Sequence, residues 1–304
     1  MTHRGSPLQA WAVGTRRTAI VALLAAALAV PAWALDVAPL WDFGNPASSE
    51  QRFTDALKTA QGDDALVLRT QIARTWGLRK DFERCRDLLR QMEPSLAGAG
   101  AEPRVRHALE TGRCWISATH APALRTEPAR GAAREAYGRA VVLAREAKLD
   151  DLVVDALHMM GFVDEAPQDQ LRWSQQALDL AQSSTQPAAR AWRASLLHNI
   201  GMAQKQQGRL DDALASFSAA VKLREAAGQA ERAHVAHWMV AWTLRAMGRV
   251  DEALAIQHGL AARAEAAGRP DPHVFDELAL LYRARGLDDR ADEYVTRARA
   301  ARGG

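Results

Sequence analysis

The sequence predicts an all-α solenoid of about six antiparallel helical hairpins. Two observations carry this. A glycine-led motif recurs three times in the C-terminal half, as Gly208-Arg-Leu-Asp-Asp-Ala213, Gly248-Arg-Val-Asp-Glu-Ala253 and Gly286-Leu-Asp-Asp-Arg-Ala291, spaced 40 and then 38 residues apart. Between the recurrences, apolar residues fall at helical spacings: Leu197, Ile200, Gly201 and Gln204 on one face, then Ala213, Phe217, Ala220 and Val221 on another. Each glycine suits the left-handed residue that ends a helix, and Asp211, Asp251 and Asp288 stand where the next helix N-terminus favours a carboxylate.

Residues 1–34 read as a cleaved signal peptide. Arg4, Arg16 and Arg17 give a positive start without acids, Thr18 to Val30 is an apolar run, and Ala32-Trp33-Ala34 is a small-x-small cleavage site. The run is shorter than a membrane-spanning helix requires, so the mature chain is expected to begin at Leu35, carry no span, and be periplasmic or secreted. Arg16-Arg17 leaves twin-arginine export open beside the ordinary route. Cleavage takes three Arg from the 39 Lys and Arg, leaving 36 against 36 Asp and Glu. The mature chain is formally neutral, so basicity gives no case for nucleic acid.

Residues 35–63 are expected to hold one capping helix, with Ser48 or Ser49 at its start and Gly62 at its stop. The hairpins follow at about 64–94, 104–147, 150–183, 188–228, 230–268 and 271–303 of a solenoid running over 64–304. The first carries Ile72, Ala73, Trp76, Cys85, Leu89 and Met92. The second carries Gly112, Trp115, Ala133, Tyr137 and Ala140, its turn broken by a loop at 121–130 that contains Pro122 and Pro128. Met160-Gly161 and Ala177-Leu178 mark the third. Cys85 and Cys114, the only cysteines, lie in neighbouring hairpins and read either as a disulfide or as two small buried side chains.

The order Leu197, Gly201, Gln204, Ala213, Phe217, Ala220 resembles the tetratricopeptide-repeat (TPR) family, whose pattern has Trp, Leu-Gly and Tyr on the first helix and Ala, Phe, Ala on the second. Here Leu197 stands for the Trp and Gln204 for the Tyr; spacing near 38 to 40 resembles the long-repeat subtypes. The resemblance implies a right-handed superhelix whose first helices line a concave groove that binds an extended peptide or partner helix. In this register the groove receives Trp238, Trp242, Arg245, His198, Met202, Lys205, His158, Phe162, His273 and Arg283, with Arg106 and Arg113 extending the line. Such a face, basic and aromatic, would suit an acidic or carboxylate-ended peptide and would leave the acids to the convex side. The plainer alternative is that Trp238 and Trp242 plug the gap between hairpins and the cations form a solvated face.

Nothing in the sequence assembles a catalytic constellation: there is no Gly-rich phosphate loop, G-x-S-x-G, H-E-x-x-H or Cys-x-x-Cys. His234 and His237 share a helix face but lack a third ligand, and the Asp pairs at 63, 150, 211 and 288 recur at helix starts, where capping explains them. The expectation is a non-catalytic scaffold with a protein or peptide partner and neither cofactor nor metal. The charged closing helix from Asp288 to Arg302 reads as a solubilising cap, giving a monomer or weak oligomer. Head-to-tail self-association and an enzyme without a recognisable motif are the alternatives.

Overall fold

Read over residues 35–303, which the computed structural model describes, the chain is helix followed by helix, with no strand among the described residues. The segment 1–34, with its expected cleavage after Ala34, lies outside the described residues. After a 3-10 turn at Ala38–Leu40 comes a lone helix, α1 (Pro46–Leu57). Hairpin one pairs α2 (Gly62–Leu78) with α3 (Phe82–Met92), and hairpin two pairs α4 (Ala101–Trp115) with α5 (Glu127–Glu146). Hairpin three pairs α6 (Asp150–Val163) with α7 (Pro167–Ser183); in hairpin four the short α8 (Pro187–Ala191) leads into α9 (Arg193–Gln206), which pairs with α10 (Leu210–Ala226). Hairpins five and six are α11 (Ala230–Ala246) with α12 (Val250–Ala266), and α13 (Pro272–Ala284) with α14 (Asp288–Gly303). Each second helix packs on the first helix of the next hairpin, so the six hairpins stack in chain order.

The bends within hairpins four, five and six are built alike. Gly208, Gly248 and Gly286 have φ of +74°, +75° and +72°. The amide following each closes back on the helix, as in Arg209 N to Gln204 O and Arg249 N to Leu244 O, both 2.9 Å, and Leu287 N to Tyr282 O, 3.0 Å. A β-carbon is disfavoured there, which is why the sequence marks these bends. Lys80 (φ 66°), within hairpin one, and Lys148 (φ 56°), between hairpins two and three, make the same closure without a glycine, through Asp81 N to Trp76 O and Leu149 N to Ala144 O, both 2.9 Å.

Contact between paired helices rests on two glycines. A β-carbon on Gly201 would stand 2.7 Å from the Phe217 ring, and one on Gly112 would stand 2.4 Å from the Tyr137 ring. Both rings are fully buried. Where the family pattern places Tyr, Gln204 instead accepts a hydrogen bond from Ser216 Oγ at 2.7 Å. The interior runs as three adjoining apolar clusters, centred on Phe53, Leu68 and Leu89, on Leu109, Tyr137 and Leu157, and on Phe217, Leu260 and Phe275.

Several local expectations are corrected. Helix α1 is capped by Asn45, whose side chain accepts from Ser48 N. Ser49 is buried and exchanges hydrogen bonds with the backbone of Asp42. Gly62 opens α2 instead of stopping α1, and Pro128 lies in the first turn of α5, where its missing N–H is no loss. Asp211 and Asp251 make no capping bond; they sit one residue inside their helices and act through the positive end of the helix dipole. Asp63 holds Gly100 N at 3.0 Å and Asp150 accepts from Ser184 Oγ at 2.6 Å, so both fasten an inter-hairpin connection.

Cys85 of α3 and Cys114 of α4 are joined by a disulfide, with Cα atoms 6.1 Å apart and both side chains buried. It cross-links hairpin one to hairpin two across 29 residues. By chain entropy a loop of this length stabilises the fold by about 3 to 4 kcal/mol.

Candidate functional site

The first helices carry a continuous ladder of polar contacts, each joining one hairpin to the next. Arg113 Nη2 of α4 meets Asp155 Oδ1 of α6 at 2.5 Å, and Asn199 of α9 meets His158 Nδ1 of α6 at 3.1 Å. Lys205 Nζ of α9 lies 3.3 Å above the centre of the Trp242 ring of α11. Trp238 Nε1 donates to His273 O of α13 at 3.3 Å, and Arg245 of α11 forks onto Glu277 of α13 at 2.6 and 3.4 Å. Every step from α4 to α13 thus contains a residue that the sequence placed on the groove. The cause is the stacking: residues one repeat apart on equivalent helix faces come side by side.

The charge pattern differs from expectation. The acids are not confined to second helices: Glu110, Asp155 and Glu277 are all buried on first helices. Arg113 is itself buried, held between Glu110 Oε1 and Asp155 Oδ1, both at 2.5 Å, so it is a structural cation and not a free hand for a partner. Burial opposes its charge, but the Asp155 and Glu110 carboxylates outweigh burial and push its pKa above the ordinary arginine value. Burial likewise works to raise the Asp155 pKa, yet Arg113 and Arg74 win and hold it below the usual carboxylate range. Arg245 is spent in the same way on Glu277. Sequence reasoning missed Asp155 and Glu277 because their partners lie 42 and 32 residues away, on neighbouring repeats.

Other predicted residues leave the ladder. His198 turns into its own hairpin, edge-on to Phe217 at 5.7 Å, with Nδ1 buried and unpaired. Burial, then Arg224, lowers its pKa. The register there is off by one: Leu196, not Leu197, is the fully buried position, and Asn199 takes the cross-hairpin contact. Arg283 is exposed and pairs with Asp292 of α14 at 3.2 Å. Arg106 pairs with Glu102 in its own helix at 2.8 Å. His234 and His237 pair separately with Asp271 (2.9 Å) and Glu225 (2.8 Å), and no group of three potential metal ligands occurs among the described residues.

What remains available is compact. Trp238 and Trp242 are half-buried and stacked, ring centres 5.9 Å apart and 22° from parallel, with Lys205 on the Trp242 face. Both readings of the tryptophan pair are therefore partly met: the rings bridge hairpins four, five and six, and they keep surface exposed. Lys205 makes no ion pair among the described residues, and burial, then Arg245, lowers its pKa.

A family model described as tetratricopeptide repeat matches residues 194–226, which are helices α9 and α10. The fold is a TPR-type helical solenoid. The chain is similar in structure to a signal transduction ATPase with numerous domains carrying a tetratricopeptide-repeat sensor from Pyrococcus horikoshii, with TM-score 0.65, 11% identity and 84% of this chain covered. It spans only 39% of that protein's length. It is also similar to aspartyl phosphate phosphatase F from Bacillus subtilis (TM-score 0.53, 14% identity, 84% of this chain and 75% of that one). The apo form of RapI gives TM-score 0.51 at 12% identity, over 84% of this chain and 91% of that one. At these identities the likeness speaks for the fold alone. No curated protein matches the sequence. Among the described residues no helix is long and apolar enough to cross a membrane.

Proposed function

We propose that this chain is a non-catalytic scaffold that binds an extended acidic or carboxylate-ended peptide segment of a protein partner along its first helices. The observation that carries the reading is the stacked Trp238–Trp242 pair, half-exposed, with the Lys205 ammonium, which has no ion pair among the described residues, on its surface. Tryptophan offers large apolar area at small entropic cost, and an ammonium without a carboxylate supplies the charge an acidic segment needs. Arg245 steadies this platform through Glu277 and does not itself meet the ligand. We also propose that the chain works outside the cytoplasm; the buried Cys85–Cys114 disulfide supports an oxidising compartment, in keeping with the signal-peptide pattern of residues 1–34.

The test is a titration with a fluorescent acidic peptide ending in a free carboxylate. Trp242→Ala is expected to weaken binding by about 30-fold, the effect of losing a central anchor of about 2 kcal/mol. Lys205→Gln is expected to weaken it less and to flatten its dependence on salt. Affinity equal to wild type in both variants, with helical content intact, would dismiss the reading.

A further inference from the structure

At the N-terminal end of the first-helix face lies a cavity of about 180 Å³, lined by Arg74, Glu110, Arg113, His158, Met159 and Phe162 among others. It is separate from the tryptophan platform. At about 30 Å³ per water it has room for roughly six, enough for one small organic molecule.

Three groups here lack partners. Glu110 is 2% exposed, and its Oε1 is bound to Arg113, yet its Oε2 is buried without a hydrogen bond among the described residues. An unpaired buried carboxylate oxygen is costly, and Glu110 is one of the residues that line this cavity. Arg74 forms no ion pair among the described residues; its guanidinium lies 5.3 and 5.5 Å from the ring centres of Trp41 and Phe43. His158 accepts from the Asn199 amide at Nδ1, which puts its proton on Nε2, and Nε2 has no partner among the described residues. Burial keeps this imidazole below its ordinary pKa and so neutral at neutral pH, with one N–H to give. The cavity therefore presents one charged acceptor and two donors, with Met159 and Phe162 as apolar wall.

Charge selects the ligand. Glu110 and Asp155 oppose Arg113 and Arg74, so the site is neutral as it stands. A net-charged guest would bring an uncompensated charge into a largely buried place. We infer that this cavity binds the zwitterion of an apolar α-amino acid, its ammonium on Glu110 Oε2, its carboxylate between Arg74 and His158 Nε2–H, and its side chain against Met159 and Phe162. The site shares no residue with the tryptophan platform, so the two can be tested separately.

The experiment is calorimetric titration of the intact, oxidised chain with four probes: L-leucine, N-acetyl-leucine, leucinamide and Leu-Ala-Ala. Leucine is expected to bind, with N-acetyl-leucine and leucinamide each weaker by at least tenfold. If Leu-Ala-Ala matches leucine, the source of the ammonium is a chain terminus and the zwitterion assignment is overturned. Absence of leucine binding, or equal binding of N-acetyl-leucine, overturns the site altogether. Glu110→Gln is expected to weaken leucine at least tenfold. Arg74→Gln, at the less buried edge of the cavity, is expected to do the same; undiminished leucine affinity in that variant contradicts the assignment even if Glu110→Gln fails to fold.

Discussion

Replacing Arg113 with methionine is expected to cost about 3 to 5 kcal/mol of stability in urea unfolding. The side chain stands between two buried carboxylates, Glu110 Oε1 and Asp155 Oδ1, each 2.5 Å away. Removing the cation leaves both acids desolvated and facing each other, which is worse than never having buried the group. Arg113→Lys is expected to recover only part of the loss, because a single ammonium cannot fork onto two acids as a guanidinium does. The pH dependence follows from Asp155, whose pKa in the folded protein lies below its ordinary value despite burial, because Arg113 and Arg74 outweigh that burial. A depressed carboxylate contributes stability above its unfolded pKa, and the contribution is lost as pH falls through the lower folded pKa. Unfolding free energies measured downward from about pH 5 should therefore decline in the wild type and decline less steeply in Asp155→Asn. A pH profile identical in the two proteins would show that the pair adds nothing.

Phe217→Ala is expected to cost about 3 to 5 kcal/mol, the loss of a fully buried aromatic ring plus the cavity it leaves. The more telling result is its coupling to Gly201. A β-carbon at Gly201 would stand 2.7 Å from the Phe217 ring, so Gly201→Ala is expected to destabilise the wild type by about 1 to 3 kcal/mol through overpacking. With the ring removed, the same substitution meets open space in a helix interior, where alanine is the better helix former, and is expected to be neutral or stabilising. A double-mutant cycle thus measures a large favourable coupling between the two changes. Simple additivity would mean that α9 and α10 do not cross as closely as the structure has them.

The fold was legible where a backbone need can be met cheaply by only one residue type. Gly208, Gly248 and Gly286 announce their bends because left-handed backbone favours glycine, and the hairpins they divide were placed from them. Upstream the same bend is made by Lys80 and Lys148, whose side chains announce nothing, so there the repeat showed only as apolar spacing. The cap of the first helix was misread: Ser48 and Ser49 both suit a helix start, but the fold caps α1 with Asn45 and turns Ser49 to Asp42.

The site was legible as a face and not as a charge pattern. Lys205, Trp238, Arg245, His158 and Arg113 each touch a residue of the neighbouring first helix, because helical spacing fixes which side chains share a side. Which of them are free depends on the register between repeats. Glu277 neutralises Arg245 from 32 residues away, and Asp155 neutralises Arg113 from 42 away. A single helix carries no record of such a partner. Arg74 and Glu110 were missed for the same reason: alone each is a charge on a helix, and only stacking brings them into the wall of one cavity.

Hydrogen exchange with and without the acidic peptide reports every helix at once. Bound peptide is expected to slow exchange along α9 and α11, the helices of Lys205, Trp238 and Trp242, with α10 and α12 unchanged. Protection confined to α10 and α12, or none at saturating peptide, would contradict binding along the first helices.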